Sequence, residues 1–444
     1  MTNVELGEPR DRFTVPAADR FLVLLLLAEV LLIAATWPLW TTIDRFPAVP
    51  LLAIFRDLPV IIDQCCTALL CVAAIAGAVE IAGDRSSLRA ALQVNRRFAD
   101  ACVLIALLSG CLLAMLNQHR LQPWHWLFML ISLQALLVRG AARAMLFRLT
   151  IASIYIFAAA SRWGADIDSG MSRQVLAVLT KAVGAEALMR NSPFVFGGCV
   201  AMTAVEFLTG VLLLIPRWRR FGIAGAVNIH AMLIFSLSPW GLKHHIGVLV
   251  WNAFLLIAVP LLFATSERAG REIKDGLASG RARILTTFVV LFPLSGLCGI
   301  ADNWLSWQVY SPRPEVVRIH VREDVVAVLP SDLQPFVGQP APLDVWCPVR
   351  IDQWSLKAAA VPMYPEDRFQ LAVAGQLMDI VDDDAIKVHL NEPQRQPWRK
   401  HRVEIVDRAV LNDRLSRFVF NGNRVRTSGW NVAKIASHFG TPAE

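Results

Sequence analysis

Several ionisable or strongly polar side chains sit in stretches too apolar to hold them without a reason. Glu206 lies in AMTAVEFLTGVLLL, His230 and Asn228 lie in AGAVNIHAMLIF, and SPWGLKHHIGVLVWN carries His244, His245, Trp251 and Asn252. An ionisable group near the centre of a bilayer costs about 3 kcal/mol on insertion scales, so each needs a partner or a task. The candidate tasks are metal ligation, proton transfer and holding the polar part of a ligand. Adjacent histidines on a helix point about 100° apart and cannot offer two ligands to one ion, and no HxxxH occurs in the apolar stretches. Metal is therefore disfavoured, as is haem held by His230 and one of the pair. Glu206 and His230 are the catalytic candidates.

The elements that must position these groups are membrane helices. The chain has 444 residues, of which 55% are apolar and only 18% charged. Nine runs, near 21–40, 60–82, 98–117, 123–139, 144–161, 194–216, 221–239, 246–265 and 284–301, approach the roughly 20 apolar residues that cross about 30 Å of hydrocarbon. The pattern predicts an all-α polytopic membrane bundle of about nine transmembrane helices over 21–307. A polar tail (1–20) precedes it and a small α/β extramembrane domain (308–444) follows. Residues 21–40 are long enough to stay as a signal anchor. In the last domain, strands are expected over 316–321, 385–390 and 401–406 and helices around 350–360 and 407–420, with MYPEDRF (363–369) as a turn. QRQPWRKHR (394–402) reads as a solvated turn, with contact to anionic lipid headgroups the minority alternative.

With the N-terminus inside, the short inner connections hold seventeen Lys and Arg and the outer ones eight, which places the C-terminal domain outside the plasma membrane. The net charge of +7 follows from this anchoring and does not indicate nucleic acid. No CxxC occurs among the eight cysteines, and Cys298 and Cys347 could pair in an oxidising compartment.

Counted along two antiparallel spans at about 1.5 Å per residue, Glu206 and His230 fall at similar depth, so a contact between them is geometrically open. His245 and Asn252, like His244 and Trp251, are seven apart and share a helix face. Asp302 and Asn303 could close the same vestibule, while Asp63 and Glu80 read as interfacial. The bland readings are an aromatic and polar interface belt for the histidine pair and an interhelical hydrogen bond for Glu206 and His230.

The order FRLTIASIYIFAAASRWGADI (147–167), VEFLTGVLLLIPRWRRFGIAGAVNIHAMLIFSLSPWG (205–241) and HHIGVLVWN (244–252) resembles the HTTM membrane family over roughly residues 90–270. That family includes the vitamin K-dependent gamma-glutamyl carboxylases, and there is a looser similarity to DoxX and MauE membrane proteins. WSLKAAAVPMYPEDRF (354–369) is similar to the tail of bacterial relatives. The resemblance implies a base seven residues after the tyrosine of the tyrosine-led span, a lysine in the carboxylases. Here Tyr155 is followed at that distance by Arg162, which stays protonated and cannot accept a proton from a quinol. Carboxylase activity is thus disfavoured, and whether the chain is an enzyme at all stays open. The combined expectation is a polar pocket of Tyr155, Arg162, His244, His245, Trp251 and Asn252 around Glu206 and His230. It would bind a lipophilic or quinone-like molecule, with redox or proton-transfer chemistry as an option. The alternative is a non-enzymatic scaffold or accessory subunit that presents the C-terminal domain to a periplasmic or membrane protein partner. A transporter ranks third, since no inverted repeat is visible.

Overall fold

The computed structural model describes residues 16–41, 45–83, 94–164, 167–168, 170–264, 279–311, 315–391, 403–422 and 425–426. Its first part is helical: α1 (Ala17–Ala35), α2 (Trp37–Thr41), α3 (Ile61–Gly83), α4 (Val94–Leu116), α5 (Pro123–Leu137), α6 (Gly140–Arg162), α7 (Met171–Ala182), α8 (Ser192–Leu214), α9 (Arg219–Leu237), α10 (Ile246–Phe263) and α11 (Gly280–Leu297). Each expected apolar run is helical, but only seven of these helices are long and apolar enough to cross a membrane: α3, α4, α6 and α8–α11. The two others have physical reasons to differ. With 15 residues α5 spans only about 22 Å. The other, α1, carries Asp19, Arg20 and Glu29 and packs against α3, α5 and α10.

Glu29 is tolerated because α5 brings it a partner. His125 Nδ1 lies 2.6 Å from Glu29 Oε1, and its Nε2 lies 3.1 Å from the Gly110 carbonyl. A carbonyl only accepts, so Nε2 carries a hydrogen, and one proton is shared between Nδ1 and the carboxylate. Position 110 is glycine for this approach, since a Cβ there would sit 3.0 Å from the imidazole Cε1.

The C-terminal part is a four-stranded antiparallel sheet of β1 (Val316–Arg322), β2 (Trp346–Val349), β3 (Ile386–Asn391) and β4 (Val403–Val406), ordered β2-β1-β3-β4. Ile319 faces Val349 on one side and Val388 on the other, and Val317, Ile319 and Val321 are buried in strict alternation. Three helices accompany it: α12 (Ile351–Ala358), α13 (Asp367–Met378) and α14 (Arg408–Arg417). Two elements depart from expectation. The proline-containing WCPV forms β2, and the MYPEDRF turn runs straight into α13, whose buried Phe369, Leu371, Ala372 and Val373 pack towards β1. The basic segment 394–402 lies outside the described residues. Cys298 and Cys347 are both free thiols, and Cys347 is buried on β2.

Bundle and domain meet at a polar seam. Asp63, read from sequence as interfacial, is fully buried there and holds two arginines: Arg120 on one oxygen and Arg426 on the other, the latter at 2.6 Å. Arg120 also donates to the carbonyls of Leu39, Trp40 and Leu113, and Arg426 to that of Leu58. The non-helical backbone around this centre is bonded in layers. Gln118 N donates to Val49 O, Leu51 N to Met115 O, Asn421 N to Leu51 O and Arg426 N to Ala48 O, at 2.8–2.9 Å. Beside it, Arg368 donates to both oxygens of Asp302 and to Gln118 Oε1, while the Tyr364 hydroxyl donates to Asp302. Asp302 and Asn303 therefore belong to this seam: Asn303 donates twice to Glu366.

Removing the carboxylate at the centre of the seam leaves two guanidinium groups buried without a countercharge. Asp63→Asn should therefore cost roughly 3–5 kcal/mol, measured as a lowered melting temperature in detergent. An unchanged melt would refute the central role of Asp63.

Two seam residues also titrate in opposite senses. Burial holds the His119 imidazole at about 4, below its ordinary 6.5. Burial, reinforced by the charge of Asp302, pushes Glu366 from 4.5 up to about 7. Between about pH 4 and 6.5 only unfolded His119 binds a proton, so its contribution to stability is present at higher pH and is lost on acidification. Between about 4.5 and 7 only native Glu366 binds one, so its contribution is present at low pH and is lost as pH rises. In the overlap the two slopes oppose. Relative to the wild type, Glu366→Gln should make stability climb with pH and His119→Gln should make it fall, by up to about 1 kcal/mol per pH unit. Unfolding at stepped pH checks this, and parallel curves for all three proteins would contradict it.

Candidate functional site

A cavity of about 480 Å³ is framed by α6, α8, α9 and α10 and roofed by α7 and the segment 307–310. Its origin is a stagger. α6 ends at Arg162, whose guanidinium pairs with Glu206, yet α8 begins 14 residues before Glu206, so it runs about 20 Å beyond that level. At the other end the helices are drawn tight by small residues. A Cβ at Gly222 of α9 would sit 2.6 Å from the Leu213 backbone nitrogen, and one at Gly210 of α8 would sit 3.0 Å from the Ala152 carbonyl. Close approach at one end and stagger at the other leave a wedge of unfilled space, whose lining is mostly apolar, including Ile154, Val175, Met202, Val205 and Leu255.

Two polar units interrupt that lining. One is the Arg162–Glu206 ion pair between α6 and α8, in which Arg162 Nε also donates to the Ala158 carbonyl at 3.0 Å. The other is a chain through three helices. Asn252 Nδ2 donates to the Val248 carbonyl at 2.8 Å, so its Oδ1 is the atom 2.9 Å from His230 Nδ1. That nitrogen must donate, which leaves Nε2 to accept from the Tyr155 hydroxyl at 2.6 Å. A neutral His230 therefore has its tautomer fixed by its neighbours, and Tyr155, donating to it, keeps free oxygen lone pairs for a further donor.

The roof carries backbone in an unusual conformation. Trp307 (φ 63°) and Tyr310 (φ 61°) are left-handed without being glycine, a costly state that concentrates at functional sites. Burial pushes the Tyr310 phenol up to about 12, so it enters any interaction here as a neutral hydroxyl. The flank differs: Ala201 and Val205 of α8 and Asn228 of α9 line the cavity and are exposed on the outside of the bundle. The cavity therefore has a rim within the span, where a bilayer would lie.

Of the residues singled out in the sequence, Tyr155, Arg162, Glu206, His230, Trp251 and Asn252 line this one cavity. The open contact between Glu206 and His230 is not formed: the stagger gives each a different partner. His244 and His245 are not among the lining residues. His245 precedes α10 as its N-cap, where its Nδ1 accepts from Gly247 N, and both imidazoles are half-buried and held below their ordinary pKa by burial. Asp302 and Asn303 close the seam instead of this cavity. Sequence reasoning missed Trp307, Tyr310 and the α7 residues Met171, Ser172 and Val175. The usable signal for Tyr310 was scarcity, since the chain has only three tyrosines.

These features define a multi-pass helical membrane protein with a small antiparallel α/β domain seated on one end of its bundle. No family model, curated protein or solved structure matches the chain.

Each polar unit can be broken singly. Tyr155→Phe removes the one donor to His230 Nε2 among the described residues and should cost roughly 1–3 kcal/mol. Arg162→Met, which strands the Glu206 carboxylate, should destabilise more than the double variant Arg162→Met/Glu206→Leu, because an isolated buried charge is worse than an apolar pair. Thermal melts of the four proteins test both statements, and a double variant less stable than Arg162→Met would refute the second.

Proposed function

We propose that this chain is an HTTM-like membrane protein that binds a lipophilic molecule with an uncharged polar head, such as a quinone-like ring, in the cavity between α6, α8, α9 and α10. The observation that carries the reading is a mostly apolar space of about 480 Å³ with a rim on the flank of the span. Its volume lies within the roughly 300–1,000 Å³ of small-molecule sites, and entry from the bilayer would keep an apolar ligand out of water throughout. Tyr155 would accept a hydrogen bond from a ligand hydroxyl while donating to His230, so a proton leaving the ligand could pass through Tyr155 to His230 Nε2. Arg162 would stay charged and orient a carbonyl, with no part as a base. In this reading the bundle lies in a plasma membrane with the N-terminus inside, so the seam, the roof and the C-terminal domain face outward.

The non-enzymatic scaffold keeps one supporting observation: Glu206 and His230 each have a partner on a neighbouring helix. The two readings separate on ligand content. Protein purified in mild detergent and extracted with organic solvent should yield a stoichiometric lipophile by mass spectrometry. Val205→Trp, which narrows the rim, should reduce its occupancy severalfold. An empty wild-type cavity, with no stabilisation by added long-chain quinone, would favour the scaffold.

A further inference from the structure

A polar cavity of about 300 Å³ lies at the seam, where α11 ends against the C-terminal domain. Among the described residues it shares no lining with the cavity between α6, α8, α9 and α10. Its wall is acidic: Asp302, Glu315, Glu366 and Asp367 line it, and among the described residues Arg368 is the one cation that does. Arg368 is already spent, since its terminal nitrogens go to Asp302 and its Nε to Gln118. The last turn of α11, at Gly296 and Leu297, forms one side and adds the negative end of an 18-residue helix dipole.

The groups left over are acceptors. Glu366 accepts from Asn303 N at 2.7 Å and from Asn303 Nδ2 at 3.0 Å through Oε1 alone, so Oε2 has no hydrogen-bond partner among the described residues. Gln308, outside the acidic group and only 1% exposed, repeats the pattern. Its Nε2 donates to Ser306 Oγ at 3.1 Å, and its Oε1 has no partner among the described residues. The amide end of Gln308 is the part at this wall, because a Cβ on Gly296 would come within 2.8 Å of Nε2. An occupant must therefore donate hydrogen bonds, and the charge of the wall asks it to be positive. A metal ion lacks its ligand set: among the described residues no three His, Cys, Asp or Glu are grouped to hold one. An ammonium group carries one positive charge, three donors and no acceptor. Phe418, also in the wall, offers apolar surface to the carbons attached to it.

We propose that this cavity binds a primary ammonium group, with Glu366, Asp367 and Gln308 as its acceptors. The ammonium is carried either on a free amine or on a lipid head group such as that of phosphatidylethanolamine. Gly299 and Ile300 lie in the wall and are exposed, Ile300 at 81%, so the cavity has an edge at the end of a membrane-crossing helix that a lipid could reach. Glu366 gives the site a pH signature. It meets Asp302 and Asn303 from the segment after α11, Arg368 and Asp367 from α13, and Tyr364 just before it, and it shares the wall with Glu315. Burial and the charge of Asp302 hold it at about 7, so it becomes a charged acceptor only as pH rises through that value.

The full chain in detergent is titrated calorimetrically at pH 6 and pH 8 with 1,4-diaminobutane, with uncharged 1,4-butanediol and with calcium chloride. In nanodiscs of equal phosphatidylethanolamine and phosphatidylglycerol, retained lipid is read by native mass spectrometry at the same two pH values. Ammonium binding should be about tenfold tighter at pH 8 than at pH 6. Glu366→Gln keeps the shape and should weaken binding and flatten its pH dependence, and Ala301→Phe, which fills the cavity, should abolish it. Diamine binding without lipid enrichment supports a free amine, and enrichment of phosphatidylethanolamine without diamine binding supports a lipid head group. Binding of neither overturns the proposal. So does butanediol or calcium bound as tightly as the diamine, or ammonium binding unchanged in both variants.

Discussion

The Asp63 carboxylate, fully buried between Arg120 and Arg426, is the interaction on which the rest of the structure depends. Backbone cut off from water must find its hydrogen bonds within the protein, so the segments at 46–51 and 117–122, which lie between the helices, can be buried at the seam only if protein covers and bonds them. Asp63 fixes that cover: it anchors the turn carrying Gln118 and His119, and it draws in the segment at 421–426. Gln118 in turn holds Arg368, Arg368 holds Asp302, and Asp302 starts the chain path that becomes the cavity roof at Trp307 and Tyr310. A single buried charge centre thus sets the geometry of a pocket whose own polar residues do not touch it.

That pocket is a consequence of imperfect packing made systematic. Where Gly210 and Gly222 let backbones approach, α6, α8 and α9 leave no room. Beyond the end of α6 no described helix takes its place in the gap, and α7 with the 307–310 segment covers it. The ionisable groups inside are paired, as hydrocarbon demands, yet they are paired with one another across helices. A ligand that replaces one of these hydrogen bonds meets a matched partner already in position.

Much of the helical framework was legible in the sequence, because long apolar runs admit few other structures in a membrane protein. Six of the eight proposed site residues converge for a related reason: ionisable groups in apolar spans face inward towards partners, whereas the neutral Asn228 of α9 stays exposed. The failures have equally definite causes. Depth reckoned from the ends of the spans assumes that helices start in one plane, and the stagger of α8 against α6 breaks that assumption, so Glu206 meets Arg162 instead of His230. Asp63 and Glu29 looked peripheral or went unnoticed because their partners Arg120, Arg426 and His125 lie far away along the chain. β2 was hidden by its proline, and α13 by the turn residues that introduce it.

The reach of the Asp63 contact has a bearing on how the protein is made. Arg426 follows Asp63 by 363 residues, and at the roughly 5–20 residues per second of synthesis it emerges about 20–70 seconds later. Until then Asp63 has only Arg120 of its two arginine partners available, and the 46–51 segment lacks the partners that 421–426 supplies. The seam is therefore among the last parts of the fold whose components are all available.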